Sequence, residues 1–249
     1  MSQLSDRVAI VTGSARNIGR ATALMLAGEG ASVVVHAKGD EEGVVETKAM
    51  IEERGGRAVH RLADLTVQSE AEGLAEAAMS AFGGIDILIN NAALRRNTPF
   101  TEITLEQWHE VLANNLDCAF LATRASIEPM IARGMGCVVN VGGLSAHRGV
   151  DDRAHLAAAK MGLVGFTKAL ATEYGPLGIT VNCVVPGLVD TIRGAAAGDK
   201  PAFHAATNNL VGREGRPEEI AHIITMLCLP NAAYTTGQII HVNGGAYLA

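Results

Sequence analysis

The sequence predicts a single α/β domain of the doubly wound, Rossmann-like type, built on a seven-stranded parallel sheet. Seven short β-branched runs recur along the 249 residues, and longer amphipathic segments separate them. The runs are nearly continuous in apolar residues, which is typical of parallel strands covered by helices on both faces. No Pro-rich or Ser-rich linker divides the chain, so we expect residues 1–249 to form one domain.

The predicted strands and helices alternate along the whole chain. Strands are expected at Val8–Thr12, Ser32–His36, Ala58–Leu62, Ile85–Asn90, Gly136–Val141, Thr180–Val185 and Gln238–Val242. Helical periodicity covers residues 17–29, 41–54, 67–82, 104–133, 154–175 and 217–229. A Gly- and Ala-rich stretch, Arg193–Gly198, interrupts this alternation, and we expect a substrate flap there, at about 193–210.

Composition excludes several classes of protein. Hydrophobic residues make up 48% of the chain and charged residues 18%, which provides a core and excludes a disordered protein. The formal net charge is -6 and the basic residues are scattered, so no nucleic-acid partner is expected. The four cysteines have no C-x-x-C spacing, which indicates buried, reduced thiols, and we expect no bound metal.

The chain also carries no sign of export or of membrane insertion. Its N-terminus leads directly into the first strand pattern, without the basic and apolar regions of a secretory signal. The longest stretch without Asp, Glu, Lys or Arg, Ile220–Ala249, is interrupted by polar residues and a proline and cannot span a bilayer. We therefore expect a cytoplasmic protein with no membrane partner.

A glycine-containing turn, Thr12–Gly19, follows the first predicted strand and opens a helix. Free backbone N–H groups and the positive end of the helix dipole favour a pyrophosphate at such a position. A glycine-rich turn alone is a weak signal, but its place directly after the first strand predicts a nucleotide site.

At this turn the sequence resembles the short-chain dehydrogenase/reductase family, whose phosphate loop has the form T-G-x-x-x-G-x-G. Asn17 stands at the middle glycine, and Asn is among the few residues that tolerate a left-handed backbone. The resemblance continues through Asn90–Ala93, Gly212–Ala221 and Val242–Gly245, so it covers nearly the whole chain. The cofactor-binding residues it implies are Gly13, Ser14, Arg16, Asn17, Ile18, Gly19, Ala37, Lys38, Asp64, Leu65, Asn91, Lys160, Pro186, Gly187 and Thr191.

The end of the second predicted strand favours NADP(H) over NAD(H). NAD enzymes place a carboxylate there to accept from the ribose 2′-hydroxyl, whereas NADP enzymes need cations for the 2′-phosphate. The acidic position of the family falls on Ala37, and Lys38 and Arg16 are placed to flank a phosphate. The alternative is that both cations are ordinary solvated surface charges.

The resemblance also implies a catalytic site, and this chain lacks two of its groups. In the family a Tyr four residues before a Lys transfers the proton, a Ser thirteen residues before the Tyr polarises the substrate oxygen, and an Asn completes a proton relay. The Lys falls on Lys160 and the Asn on Asn115, with the adjacent Asn114 as the alternative. Leu156 and Gly143 stand at the Tyr and Ser positions, which predicts an atypical active site.

Three side chains are candidates to replace the missing groups. Ser145, His147 and His155 lie between the fifth predicted strand and the following helix, in the segment that lines the substrate pocket in the family. Histidine suits proton transfer near neutral pH, although both histidines also fit ordinary loop or interface positions. The candidate catalytic residues are therefore Lys160, Asn115, His155, Ser145 and His147.

Three functions are compatible with these observations. We favour an NADP(H)-dependent oxidoreductase that acts on a small carbonyl or alcohol substrate with a non-standard proton donor. The alternatives are a non-redox enzyme for carbon–carbon cleavage, elimination or cyclisation, and a catalytically silent NADP-binding subunit. The long fourth and fifth predicted helices and the low charge fraction agree with a homotetramer or homodimer of the type that the family forms.

Overall fold

The computed structural model describes residues 2–192 and 209–248. Of the expected flap at about 193–210, only Asn209 and Leu210 belong to these ranges, and the remainder lies outside the described residues.

Seven parallel strands form one sheet in the order β3-β2-β1-β4-β5-β6-β7, so the predicted fold class is confirmed. Each strand lies within two residues of its predicted bounds. The strands are β1 (Val8–Val11), β2 (Ser32–Ala37), β3 (Arg57–Leu62), β4 (Ile87–Asn90), β5 (Gly136–Val141), β6 (Ile179–Pro186) and β7 (Ile239–Val242). The order reverses at β1, which pairs with β2 on one side and β4 on the other. Ligands of such sheets bind at this switch point, beyond the carboxyl ends of the strands.

Helices cover both faces of the sheet. One layer consists of α1 (Asn17–Gly28), α2 (Glu41–Glu52) and α8 (Pro217–Cys228). The other layer includes α3 (Gln68–Phe82), α4 (Leu105–Leu112), α5 (Cys118–Ala132) and α7 (Ala154–Tyr174). Successive strand residues point to opposite faces, so Ala9 and Val11 pack in the first layer and Val8 and Ile10 in the second.

The structure differs from the sequence prediction at two helices. The helix predicted over 104–133 is interrupted by a π-helical turn, Ala113–Asp117, between α4 and α5. Asn114 and Asn115 there donate side-chain hydrogen bonds to the carbonyl oxygens of Glu110 and Val111, both at 2.9 Å, and such bonds compete with regular helix formation. A short helix that was not predicted, α6 (Leu144–Arg148), follows β5.

Two further expectations from the sequence concern the cysteines and the membrane. All four cysteines are buried and free, as predicted. The Sγ atoms of Cys137 and Cys228 are 3.8 Å apart, well beyond the disulfide bond length of about 2.05 Å. Within residues 2–192 and 209–248, no helix is long and apolar enough to cross a membrane.

Candidate functional site

Two adjoining cavities open at the carboxyl ends of the strands. The first, here called the α1 cavity, has a volume of about 460 Å³ and lies between the first turn of α1 and the end of β2. The second, the α7 cavity, has a volume of about 420 Å³ and lies between the segment after β5 and the first turns of α7. They share the lining residues Ile18, Asn91, Ala93, Arg95 and Thr191, so a ligand can extend from one into the other.

The turn between β1 and α1 is held by the segment that follows β4. The side-chain amide of Asn91 donates to the carbonyl oxygens of Thr12 at 3.0 Å and Gly13 at 2.9 Å. The Thr12 hydroxyl accepts from the backbone N–H groups of Asn91 and Ala92. This bracing fixes the turn directly above the switch point of the sheet.

The start of α1 has the geometry of an anion site. A Cβ at Gly19 would lie only 2.2 Å from the Gly13 carbonyl oxygen, so only glycine permits this close approach. Arg16, the residue that precedes the helix, makes no side-chain capping bond to the first-turn N–H groups. These N–H groups border the α1 cavity and favour a phosphate there.

Asn17 has a left-handed backbone, with φ at +53°. Its side-chain amide donates to the Ile192 carbonyl oxygen at 2.8 Å, and its Oδ1 accepts from the Ile192 N–H at 2.9 Å. The Asn17 side chain therefore links the turn between β1 and α1 to the segment after β6, which a glycine could not do. The sequence predicted the tolerated backbone but not this link, because the two positions are far apart along the chain.

His36, at the end of β2, is a buried support of the turn that the sequence did not identify. Its Nδ1 accepts from the Gly13 N–H at 3.1 Å, and its Nε2 lies 3.0 Å from the Ala63 carbonyl oxygen. These contacts require a neutral ring with its proton on Nε2. Burial lowers the pKa of His36, which agrees with the neutral form.

Arg16 and Lys38 both line the α1 cavity, as does Ala37 at the end of β2. Arg16 Nη1 lies 3.7 Å from Asp40 Oδ2, and Lys38 Nζ lies 2.7 Å from Asp64 Oδ2. Partial burial opposes ionisation of Asp64, but hydrogen bonds from Lys38 and Thr66 hold its pKa below the ordinary value. Exposed ion pairs of this kind contribute little stability, so a bound phosphate can take the place of either carboxylate.

The other predicted cofactor residues are divided between the two cavities. Ser14 lines neither cavity, because its hydroxyl is buried beneath the turn, where it donates to the Val11 carbonyl oxygen and accepts from the His36 N–H. Lys160, Pro186 and Gly187 line the α7 cavity. Those that line the α1 cavity are Gly13, Arg16, Asn17, Ile18, Gly19, Ala37, Lys38, Asp64, Leu65, Asn91 and Thr191.

Lys160 is the buried cation of the α7 cavity. It lies in α7, and its Nζ donates to the Val141 carbonyl oxygen at 2.8 Å. Burial lowers the pKa of Lys160 to about 8, so its ammonium group can release a proton near neutral pH. An amine in this state can act as a general acid or base.

Gly143, Ser145 and Leu156 line the same cavity as Lys160. A Cβ at Gly143 would lie 3.8 Å from the Ser145 hydroxyl and 3.6 Å from Cγ of Lys160, which are ordinary packing distances. The Ser145 hydroxyl is therefore close to the place that a side chain at 143 would occupy. Leu156 is 4% exposed and contributes only apolar atoms to the wall.

Asn115 lies on the π-helical turn and is 1% exposed. Its Nδ2 donates to the carbonyl oxygens of Leu94 and Val111, both at 2.9 Å. Asn115 thereby connects the helix to the loop after β4, which contributes Asn91 and Arg95 to the cavities. Asn114, the alternative assignment in the sequence, lines the α1 cavity instead.

The structure places His147 and His155 outside both cavities. The His147 ring packs edge-on against His241, with ring centroids 4.6 Å apart, and burial together with His241 lowers the pKa of His147. His155 is fully buried, and burial followed by the charge of Arg96 lowers its pKa. Helical geometry separates His155 from the direction of Leu156 by about 100°.

Residues that could hold a metal do not come together in the ranges the structure describes. No group of three or more His, Cys, Asp or Glu side chains suited to a metal ion is found among them. Arginines instead dominate the charge of the α7 cavity, since Arg95, Arg148 and Arg153 all line it. Sequence reasoning missed this feature, because only folding brings the loop after β4 next to the loop before α7.

The parallel sheet with its cavities at the switch point defines a doubly wound domain of the Rossmann type. The family described as enoyl-(acyl carrier protein) reductase matches residues 13–247. The chain belongs to the short-chain dehydrogenase/reductase family and is an oxidoreductase of that family.

Similar proteins of known activity and structure cover almost the full length of the chain. A 3-oxoacyl-[acyl-carrier-protein] reductase of Vibrio cholerae is 36% identical over 246 residues, 98% of this chain and 99% of its own. A 3β-hydroxysteroid dehydrogenase of Eggerthella lenta is 36% identical over 248 residues, 98% of this chain and 95% of its own. A dehydrogenase/reductase of Sinorhizobium meliloti superposes with a TM-score of 0.91 at 33% identity, covering 99% of this chain and 97% of its own.

Proposed function

We propose that the protein is an NADP(H)-dependent oxidoreductase that interconverts a small carbonyl compound and its alcohol without the tyrosine and serine usual in its family. The observation that carries this proposal is the continuity of the α1 cavity with the α7 cavity, where the buried amine of Lys160 lies. A dinucleotide in the first cavity can therefore present its nicotinamide in the second.

The residues of the α1 cavity fit such a dinucleotide. The close approach at Gly19 and the uncapped start of α1 suit a pyrophosphate. Arg16 and Lys38 line this cavity together with Ala37 at the end of β2, which suits a 2′-phosphate on the adenosine ribose. Asp40 is the nearby acid that could instead accept from a 2′-hydroxyl, but its Oδ1 accepts from the Gly43 N–H at the start of α2.

The α7 cavity contains groups that can replace the missing proton donor. When bound, the reduced nicotinamide supplies a hydride to the carbonyl carbon. The Ser145 hydroxyl donates a hydrogen bond to the carbonyl oxygen, on which negative charge develops. The Lys160 ammonium group then gives its proton to this oxygen, directly or through water, and regains a proton from solvent.

The remaining candidates have positioning or packing roles in this proposal. Asn115 holds the loop after β4 against the π-helical turn. Thr191, Pro186 and Gly187 hold the carboxamide of the nicotinamide, as the resemblance implies. His147 and His155 take no part in proton transfer, because neither lines the α7 cavity.

We also propose that the chain functions as a homotetramer or homodimer. In the single chain, Phe120 of α5 is 44% exposed and Met161 of α7 is 42% exposed. Apolar side chains exposed on these two helices suit a symmetric helix-to-helix interface. Light scattering coupled to gel filtration measures the oligomeric state, and a monomer would contradict this proposal.

The proposed function is tested with purified, nucleotide-stripped protein. Calorimetric titration is expected to show at least about tenfold tighter binding of NADPH than of NADH, because hydrogen bonds to a charged group contribute about 1.5–3 kcal/mol. A panel of small carbonyl compounds is then added, and loss of the reduced-nicotinamide absorbance is followed. Tight binding of NADPH without oxidation by any carbonyl would contradict oxidoreductase activity.

Non-redox chemistry on the same scaffold is the second candidate. It is favoured by one observation, the apolar side chain of Leu156 next to Lys160 in the α7 cavity. A neutral amine beside an apolar wall could abstract a proton or attack a carbonyl carbon. Product formation with no change in nicotinamide absorbance would support this candidate.

A further inference from the structure

The described lining of the α7 cavity carries a charge opposite to that of the whole chain. The whole sequence carries a formal net charge of -6. Among the described residues that line the α7 cavity, Arg95, Arg148, Arg153 and Lys160 are cationic and Asp151 is the one carboxylate. Cations gathered in a cleft focus the electrostatic potential and attract anions.

Of the three arginines, Arg153 is the buried one. It is 8% exposed, and its Nε donates to the Asn97 Oδ1 at 2.8 Å. A guanidinium group keeps its charge at every accessible pH. Its planar donors match a carboxylate or a phosphate in a two-point contact.

The two loops that carry the arginines are joined to each other. Besides the contact between Arg153 and Asn97, the Thr98 N–H donates to the Asp152 carbonyl oxygen at 2.8 Å. Asp152 has a left-handed backbone, with φ at +61°, a conformation that Asp and Asn adopt more readily than other non-glycine residues. The loop after β4 and the loop before α7 therefore form one fixed wall.

We propose that Arg95, Arg148 and Arg153 form an oxyanion subsite, and that the substrate is a small carbonyl or hydroxy compound bearing a carboxylate or a phosphate. This inference rests on the proposed function and specifies its substrate class. Within a cavity of about 420 Å³, an anion held by the arginines keeps the rest of a small substrate beside Ser145 and Lys160. The charged group then provides orientation that the missing tyrosine and serine cannot provide.

Matched pairs of ligands test the subsite by binding, without turnover. Calorimetry on the protein, with and without saturating NADP⁺, compares oxo acids of four or five carbons with their methyl esters. It also compares dihydroxyacetone phosphate with dihydroxyacetone. We expect each anion of at least one pair to bind about tenfold or more tightly than its neutral partner, and the preferred pair identifies the oxyanion as carboxylate or phosphate.

Variants assign the preference to the arginines. Arg148→Gln and Arg153→Gln are each expected to reduce anion affinity about tenfold or more and to leave the affinity of the neutral partner within about twofold. Arg54→Gln is the matched control, because Arg54 is exposed and lines neither cavity. If Arg153→Gln does not fold, Arg95→Gln replaces it, since Arg95 is exposed in the single chain.

The outcomes separate this inference from the proposed function. Equal binding of anionic and neutral partners, or a preference that survives both arginine variants, would overturn the subsite even if neutral carbonyls are reduced. A preference for anions that the arginine variants abolish would support the subsite even if no ligand oxidises NADPH. In that case the absence of NADPH oxidation contradicts the proposed oxidoreductase activity, whereas the anion subsite is still supported.

Discussion

The two cavities differ in what forms their walls. In the proposed function, this difference separates the binding of the cofactor from the transfer of the proton. The α1 cavity depends on backbone groups and on small residues such as Gly13 and Gly19, which permit close approach to the start of α1. The α7 cavity depends on the functional groups of side chains, among them Ser145 and Lys160. A fold can therefore retain its ligand platform while a few exchanges in the neighbouring cavity change the reaction.

Asn17 and Leu156 illustrate this contrast. Asn17 stands where the resemblance implies a glycine, and its left-handed backbone and its two hydrogen bonds to Ile192 hold the turn between β1 and α1. Leu156 preserves the packing of α7, because it is buried as a core residue would be, but it has no proton to transfer. The turn therefore has a defined backbone geometry with Asn17, whereas a proton transfer next to Leu156 would need a donor from another residue.

The largest effect is expected from Lys160→Met, which removes the proposed proton donor. We expect carbonyl reduction to fall by about 10²–10⁴-fold, the usual contribution of general acid catalysis. Steady-state rates of NADPH oxidation measure this loss. Lys168→Met is the matched control, because Lys168 lies in the same helix but is exposed and lines neither cavity.

The pH dependence provides a second readout of Lys160. The pKa of Lys160 is lowered to about 8, so its proton is present below pH 8 and is lost as the pH rises through 8. Reduction is therefore expected to slow above pH 8, whereas oxidation of the alcohol, which needs the neutral amine, is expected to accelerate. Identical pH profiles for the native protein and Lys160→Met would contradict this role.

The next effect is expected from restoring both missing groups together. Gly143→Ser with Leu156→Tyr is expected to raise the reduction rate by at least about 10²-fold, since a positioned acid contributes about 10²–10⁴ and an oxyanion donor about 10²–10³, of which Lys160 and Ser145 already supply a part. The serine fits, because the nearest atoms to a new Cβ are at 3.6 and 3.8 Å. Each single variant serves as a control. If the double variant reduces carbonyls no faster than the native protein, the site lacks more than the serine and the tyrosine.

The sequence predicted more of the α1 cavity than of the α7 cavity, for a physical reason. A phosphate turn is a local feature, so the segment from Thr12 to Gly19 contains most of the information needed to predict it. The arginine wall combines Arg95 with Arg148 and Arg153, which only the packing of two loops brings together. The sequence predicted that Gly143 and Leu156 stand at the Ser and Tyr positions of the family, but it could not predict that the Ser145 hydroxyl lies 3.8 Å from a Cβ at position 143.

A smaller effect is expected from Ser145→Ala. Loss of one oxyanion donor is expected to lower kcat about 10²-fold and to leave KM nearly unchanged. Because Ser145 Oγ lies 3.8 Å from a Cβ at 143, Gly143→Ser is expected to rescue part of the loss in the Ser145→Ala background. Failure of rescue, together with an unchanged kcat in Ser145→Ala alone, would remove Ser145 from the mechanism.

The α1 cavity is tested by exchanging its two cations. Arg16→Gln with Lys38→Gln is expected to weaken NADPH binding by about tenfold or more and to change NADH binding by less than about threefold. Calorimetry measures both dissociation constants. Lys48→Gln is a control, because Lys48 pairs with Glu52 on α2 and lines neither cavity. An equal loss of affinity for NADPH and NADH would show that Arg16 and Lys38 do not bind the 2′-phosphate.

The smallest effect is expected at Asn17, where two variants separate backbone strain from the side-chain link. Asn17→Gly and Asn17→Ala both remove the two hydrogen bonds to Ile192, but only alanine is strained at a φ of +53°. We therefore expect Asn17→Ala to be less stable than Asn17→Gly by about 1 kcal/mol, as measured by chemical denaturation. Nucleotide affinity is expected to fall less in Asn17→Gly, because glycine keeps the shape of the turn. Equal stability of the two variants would mean that the hydrogen bonds to Ile192, rather than the left-handed backbone, decide which residue this position accepts.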